Sequence, residues 1–185
     1  EWRAIVGGFF AAPPSVEHLT LTGTLNASGN GNDLDNTLRG NASDNRLEGG
    51  RGLDTLIGGR GDDVYVDVDP YIDGMLVTYT PDTIVEAAGE GYDTIEAKAY
   101  DYALPDNVER LVLMLTPTFS FYDAQLRKYV PSPRDATGNE LDNVLDASRV
   151  MPDAPVVLDG GAGADAYIGH AGPDTYRIAD AGDHI

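Results

Sequence analysis

The chain has 185 residues, and its 31 Asp and Glu against 12 Lys and Arg leave a formal net charge of −19. So acidic a chain is repelled by nucleic-acid phosphates and by anionic lipid surfaces, which excludes both and leaves divalent cations as natural partners. The lack of cysteine excludes disulfides, the 42% hydrophobic content is too high for a solvated acidic tail, and no apolar run reaches the about 18 residues of a membrane span.

With 22 Gly and 11 Pro, long helices are not expected. Residues 1–30 read as a strand-forming lead-in. Trp2–Phe10 is apolar, but Gly7 and Gly8 interrupt it and no cleavage site follows, so it is not read as a signal peptide. The chain is expected to be a piece of a longer protein. Val16–Leu21 (VEHLTL) returns as Val108–Leu113 (VERLVL), each ahead of a GNxLDNxL segment.

Residues 31–66 are four nonapeptides in register: GNDLDNTLR from Gly31, GNASDNRLE from Gly40, GGRGLDTLI from Gly49 and GGRGDDVYV from Gly58. Each opens on Gly and carries Asn or Asp at its sixth place (Asn36, Asn45, Asp54, Asp63). A large apolar residue stands at the eighth (Leu38, Leu47, Leu56, Tyr65). Residues 67–137 read as degenerate coils with insertions at 67–81 and 114–134, Ala88–Glu96 (AGEGYDTIE) being a weaker unit. Residues 138–185 hold a second array, with GNELDNVLD from Gly138, GGAGADAYI from Gly160 and GHAGPDTYR from Gly169. Ala147–Asp159 is a lengthened unit without turn glycines, and Asp183-His184-Ile185 marks the start of a further strand.

A nonapeptide of this kind cannot fold alone. Six residues of glycine-rich turn and three of strand bury too little, but two units close one coil of 18 residues with a strand on each side. Stacked coils bring like strands about 4.8 Å apart. They point Leu38, Leu47, Leu56, Tyr65, Leu145, Leu158, Tyr167 and Tyr176 into a common core. The expected fold is all-β: a right-handed parallel β-roll or β-solenoid with cation-binding turns and longer inserted loops.

The turns must then stack too, 31–36 beside 49–54 and 40–45 beside 58–63. Backbone carbonyls freed by the glycine turns and carboxylates such as Asp54 and Asp63 line each gap. Hard oxygen donors in loose geometry suit calcium, whereas magnesium demands a stricter octahedron. Without a cation the carboxylates repel and the carbonyls lie unpaired, so folding and calcium uptake are expected to be coupled. A site with a dissociation constant of about 0.1 mM is stabilised by about 1.4–2.7 kcal/mol at about 1–10 mM calcium, and by essentially nothing at submicromolar calcium.

The units GGRGLDTLI, GGRGDDVYV and GGAGADAYI resemble the GGxGxDxUx repeat of the RTX, or hemolysin-type calcium-binding, family. The resemblance implies a parallel β-roll holding several Ca2+ ions, an extracellular or cell-surface location, and export from a Gram-negative bacterium through a type I secretion channel. It also implies ligands, namely the carbonyls of the first four turn places and the sixth-place carboxylate. In the first array these are Gly49, Gly50, Arg51, Gly52 and Asp54, then Gly58, Gly59, Arg60, Gly61 and Asp63. In the second they are Gly160, Gly161, Ala162, Gly163 and Asp165, then Gly169, Ala171, Gly172 and Asp174, where His170 replaces a glycine. Gly31, Asp33, Asn36, Asn45 and Asn143 complete the set, asparagine keeping a ligand oxygen but no charge. The 147–159 unit lacks the turn, which leaves a site between it and 169–174 open.

Asp67, Asp69 and Asp73 lack the acid that an EF-hand needs at its twelfth place, so 67–81 reads as a solvated acidic loop. Phe119–Tyr129 (FSFYDAQLRKY) reads as a lateral loop or short helix covering the roll. His18, His170 and His184 are scattered with no HExxH, and no serine stands in GxSxG, so no catalytic residue is expected. The preferred reading is a non-catalytic calcium-binding structural module of a secreted bacterial protein. Its rivals are the tail of an extracellular enzyme, and an adhesin or surface-layer segment whose loops 67–81 and 114–134 bind glycans or neighbouring copies.

Overall fold

A computed structural model describes residues 2–4, 8–67, 70–73, 76–79, 81–98, 101–114, 120–123, 128–131, 134–152 and 155–185. Among these residues there are 21 short strands and no helix. The chain divides into two compact units, one of residues 1–96 with 105–108 and one of 97–104 with 109–185. One nonapeptide array falls in each.

In the first unit, successive strands alternate between two parallel ladders. One runs Trp2–Ala4, His18–Leu21, Thr37–Arg39, Thr55–Ile57, Thr83–Val85. The other runs Gly8–Ala11, Ala27–Asn30, Asn45–Glu48, Val64–Asp67, with Thr94–Ala97 next in order. The eighth-place residues set this register: Leu38 lies opposite Leu56, and Leu47 opposite Tyr65. Because side chains alternate along a strand, one apolar residue per unit is enough to turn one face of each ladder inward. Leu38, Leu47, Leu56, Tyr65 and Ile95 are fully buried.

The coil length of 18 residues between Asn36 and Asp54 becomes 28 between Asp54 and Asp82 and 30 between Asp63 and Asp93. The added residues are looped out while the strands keep their ladder. Part of the expected acidic loop is ordered differently, since Pro70–Asp73 and Leu76–Tyr79 pair as an antiparallel hairpin. Asp69 lies outside the described residues.

In the second unit, Arg110–Leu113, Val144–Asp146 and Ala166–Ile168 form one parallel ladder. Asp101–Ala103, Arg134–Thr137, Val156–Asp159 and Asp174–Arg177 form another. Val156–Asp159 takes a regular ladder position although its unit has no glycine turn. His184 makes an isolated parallel bridge to Ala166 beyond the last strand of the described residues. The 114–134 insertion carries an antiparallel hairpin, Ser120–Asp123 against Lys128–Pro131, and not a short helix; residues 115–119, 124–127 and 132–133 lie outside the described residues. Leu145, Leu158 and Tyr167 are core residues as expected. Tyr176 is only half-buried, because Asp174–Arg177 is the last strand of its ladder and has a neighbour on one side only.

The fully buried Leu56 and the exposed Leu53 stand three residues apart and separate core from surface. Leu56→Ala is expected to cost about 2–5 kcal/mol in urea unfolding with calcium present. Leu53→Ala should stay within about 0.5 kcal/mol of the parent.

Candidate metal centre

The site is built from the turns. At the second and fourth places of the GGxG units, Gly50, Gly52, Gly59, Gly61, Gly161 and Gly163 all have positive φ, for example 122° at Gly52 and 115° at Gly61. Any side chain there is strained. It would also collide with the coil before: a Cβ at Gly61 would fall 2.6 Å from the carbonyl carbon of Ser43. First-place glycines serve a different purpose. A Cβ at Gly58 or Gly160 would fall 2.1 or 1.9 Å from Oδ2 of Asp63 or Asp165, so each sixth-place carboxylate folds over the bare Cα of its own unit.

These carboxylates also tie coil to coil. The Asn36 N–H donates to Asp54 Oδ1 at 2.6 Å, Asn45 to Asp63 at 2.7 Å, and Asn143 to Asp165 at 2.8 Å. The ladder continues from Asp63 to Asp93 and from Asp165 to Asp183. Fifth-place aspartates run the opposite way: Asp35, Asp44 and Asp142 accept the N–H of Leu53, Asp62 and Ala164 in the following coil. Sequence reasoning missed this second ladder, as it missed Asp93 and Asp183. The recurrence of Asp beside the sixth place at Asp35, Asp44, Asp62 and Asp142 was the available signal.

The hydrogen bonding of the sixth-place side chain distinguishes Asn turns from Asp turns. Asn36, Asn45 and Asn143 each accept the N–H of the second-place Asn32, Asn41 or Asn139 at 2.7 Å. Asp63 and Asp165 are 1% and 0% exposed, yet Oδ2 of each has no hydrogen-bond partner. Burial, followed by the nearby Asp93, Glu86 and Asp44, pushes the Asp63 carboxyl up to about 8 despite the Asn45 N–H. Asp165 is raised as well, by burial and then by Asp183, Asp142 and Asp180. A buried carboxylate oxygen without a donor is costly, and a cation relieves that cost. The donors are oxygens on glycine turns, the set calcium prefers.

The structure brings turns 31–36 and 49–54, 40–45 and 58–63, and 138–143 and 160–165 together. Side chains of Asp33, Arg51, Arg60, Ala162 and Ala171 are exposed, and of these only Asp33 has a side-chain oxygen to offer an ion. Not every turn carbonyl is unpaired, contrary to expectation. Those of Asn32 and Asn139 accept the N–H of Arg51 and Ala162, because stacking sets the third place of one coil over the second place of the last. The 169–174 turn departs further. His170 cannot share the glycine conformation; its N–H donates to Asp174 Oδ2 and its ring Nδ1 contacts Oδ1, while the Tyr176 hydroxyl donates to Oδ2. Both Asp174 oxygens are thus engaged by the chain itself, and Gly169 and Gly172 are not among the positive-φ glycines.

Comparison with known families gives one match. The model of the RTX calcium-binding nonapeptide repeat fits four copies, over residues 30–65 and 156–176, about a third of the chain. No curated protein and no solved structure matches. The chain therefore carries RTX calcium-binding repeats folded as a β-solenoid, an arrangement that fits a calcium-binding module. The Gly138 unit lies outside the matched residues, although its turn stacks on Gly160 as the matched ones do.

The raised Asp63 group sets a pH dependence for the metal-free protein. The unfolded carboxyl ionises near 3.8, while the folded one keeps its proton to about 8. In EDTA, this contribution to stability is fully present below about pH 4 and is lost as the pH rises towards about 8. Calcium binds the ionised form, so added calcium is expected to raise the melting temperature more at pH 8 than at pH 5. A calcium-induced shift that shrinks with rising pH would contradict the assignment.

Proposed function

We propose that this chain is a non-catalytic, calcium-dependent folding module of a protein that a Gram-negative bacterium secretes through a type I channel. Inside the cell, at submicromolar calcium, the Asp-bearing turns keep uncompensated carboxylates and the solenoid is loose. Outside, at millimolar calcium, the turns fill and the stack orders, which stabilises the parent and favours completed export. The observation that supports this reading most is the pair of buried, partnerless oxygens on Asp63 and Asp165 within matched RTX turns. The four matched copies support calcium as the ion. Any reaction of the parent is assigned to residues outside this chain.

Circular dichroism and thermal melting during a calcium titration test the reading. Strand signal and a cooperative transition are expected to appear with calcium and to vanish on chelation. A spectrum and melting temperature indifferent to both would reject it.

A further inference from the structure

One acidic cluster includes a residue that the nonapeptide does not supply. Asp63 and Asp93 are sixth-place residues of stacked turns. Glu86 enters from outside the repeat, on the segment that follows the strand Thr83–Val85. One carboxylate oxygen from each of the three lies within 4.8 Å of the other two. Asp63 is 1% exposed and keeps Oδ2 without a partner, and Oε2 of Glu86 is also buried and partnerless.

Glu86 is fixed in place by a short relay. The Gly58 N–H donates to the Tyr65 hydroxyl at 2.7 Å, and that hydroxyl donates to Glu86 Oε1. Tyr65 is fully buried, so the phenol holds Oε1 from the core side and leaves Oε2 to another partner. The amide of Asn107 donates to the Glu86 carbonyl at 3.0 Å, which pins the backbone as well. The charged groups acting on Asp63 and Glu86 are all acidic, with Asp44 and Glu90 joining the cluster itself. Burial above all pushes the Glu86 carboxyl up to about 7. Ionised together, Asp63 and Glu86 repel each other and their acidic neighbours, and a cation between them relieves that repulsion.

We propose that Asp63, Glu86 and Asp93 together hold one divalent cation, with Glu86 acting as a ligand recruited from outside the repeat. Three hard oxygens and no nitrogen or sulfur donor favour calcium over zinc or copper. Oxygens within 4.8 Å of one another can all reach one calcium ion at about 2.3–2.6 Å, and calcium accepts the irregular geometry that magnesium does not. The site has three carboxylates where an Asn-bearing turn offers one or none, so it is the tightest of the set and fills first. This rests on the calcium reading of the turns for Asp63 and Asp93, and adds Glu86, with Tyr65 as its positioning residue.

Calcium titration by calorimetry on the whole chain tests this, comparing the parent with Glu86→Gln and with Asp101→Asn, an exposed charge control on the strand Asp101–Ala103 outside the turns. Glu86→Gln is expected to weaken the tightest site by about tenfold or more while the remaining sites keep their affinity. Asp101→Asn is expected to follow the parent. A Glu86→Gln isotherm that overlays the parent's overturns the proposal and leaves the wider calcium reading intact; a parent that takes up no calcium overturns both. If Glu86→Gln does not fold, Tyr65→Phe is read instead by the same calorimetric titration. A weakened tightest site supports the assignment, and an isotherm that overlays the parent's overturns it.

Discussion

At Asp63 and at Asp165 the turn rests on one divided carboxylate. Its first oxygen accepts an N–H from the preceding coil, as Asp63 does from Asn45, and so fixes the stacking of two turns. Its second oxygen is sealed over the unit's own first glycine, out of water and out of reach of any donor. The first interaction demands that the group be buried, and the second makes burial costly unless a cation is present. Stability and ion binding are therefore consequences of a single side-chain position.

The Asn turns show the same geometry with the demand removed. Asn36, Asn45 and Asn143 accept the second-place N–H on their oxygen, and the Asn36 amide donates to the Val16 carbonyl, so these turns close with the chain's own groups. Where Asn36, Asn45 or Asn143 faces the Asp of the next coil, the gap holds one sixth-place carboxylate and not two. One face of a gap folds unaided and the other waits for its ion. His170 and Asp174 take this further, since a ring nitrogen and the Tyr176 hydroxyl engage the carboxylate oxygens from within the chain.

Much of this was legible because the signal is periodic. Glycine at the first, second and fourth places, Asp or Asn at the sixth and one apolar residue at the eighth are local demands of the turn and strand, so they survive in sequence as a nine-residue rhythm. Leu38, Leu47, Leu56 and Tyr65 followed from it directly. What breaks the rhythm was not legible. The two inserted hairpins pair with themselves and so leave no imprint on the repeat. Glu86 reaches Asp63 only because the coil between Asp63 and Asp93 grows to 30 residues, and nothing in a one-dimensional spacing says where the extra chain turns back. The fifth-place aspartates were visible but mute, since an exposed acid on a turn looks like solvation until the N–H above it is seen.

The central claim is that the sealed oxygens of the sixth-place aspartates are ion ligands. Anomalous diffraction from crystals grown in calcium tests it most directly. The account predicts difference peaks against Oδ2 of Asp63 and Asp165, at the about 2.3–2.6 Å of calcium–oxygen bonds. Well-ordered turns with no peak there, or with a water molecule donating to each oxygen instead, would contradict it.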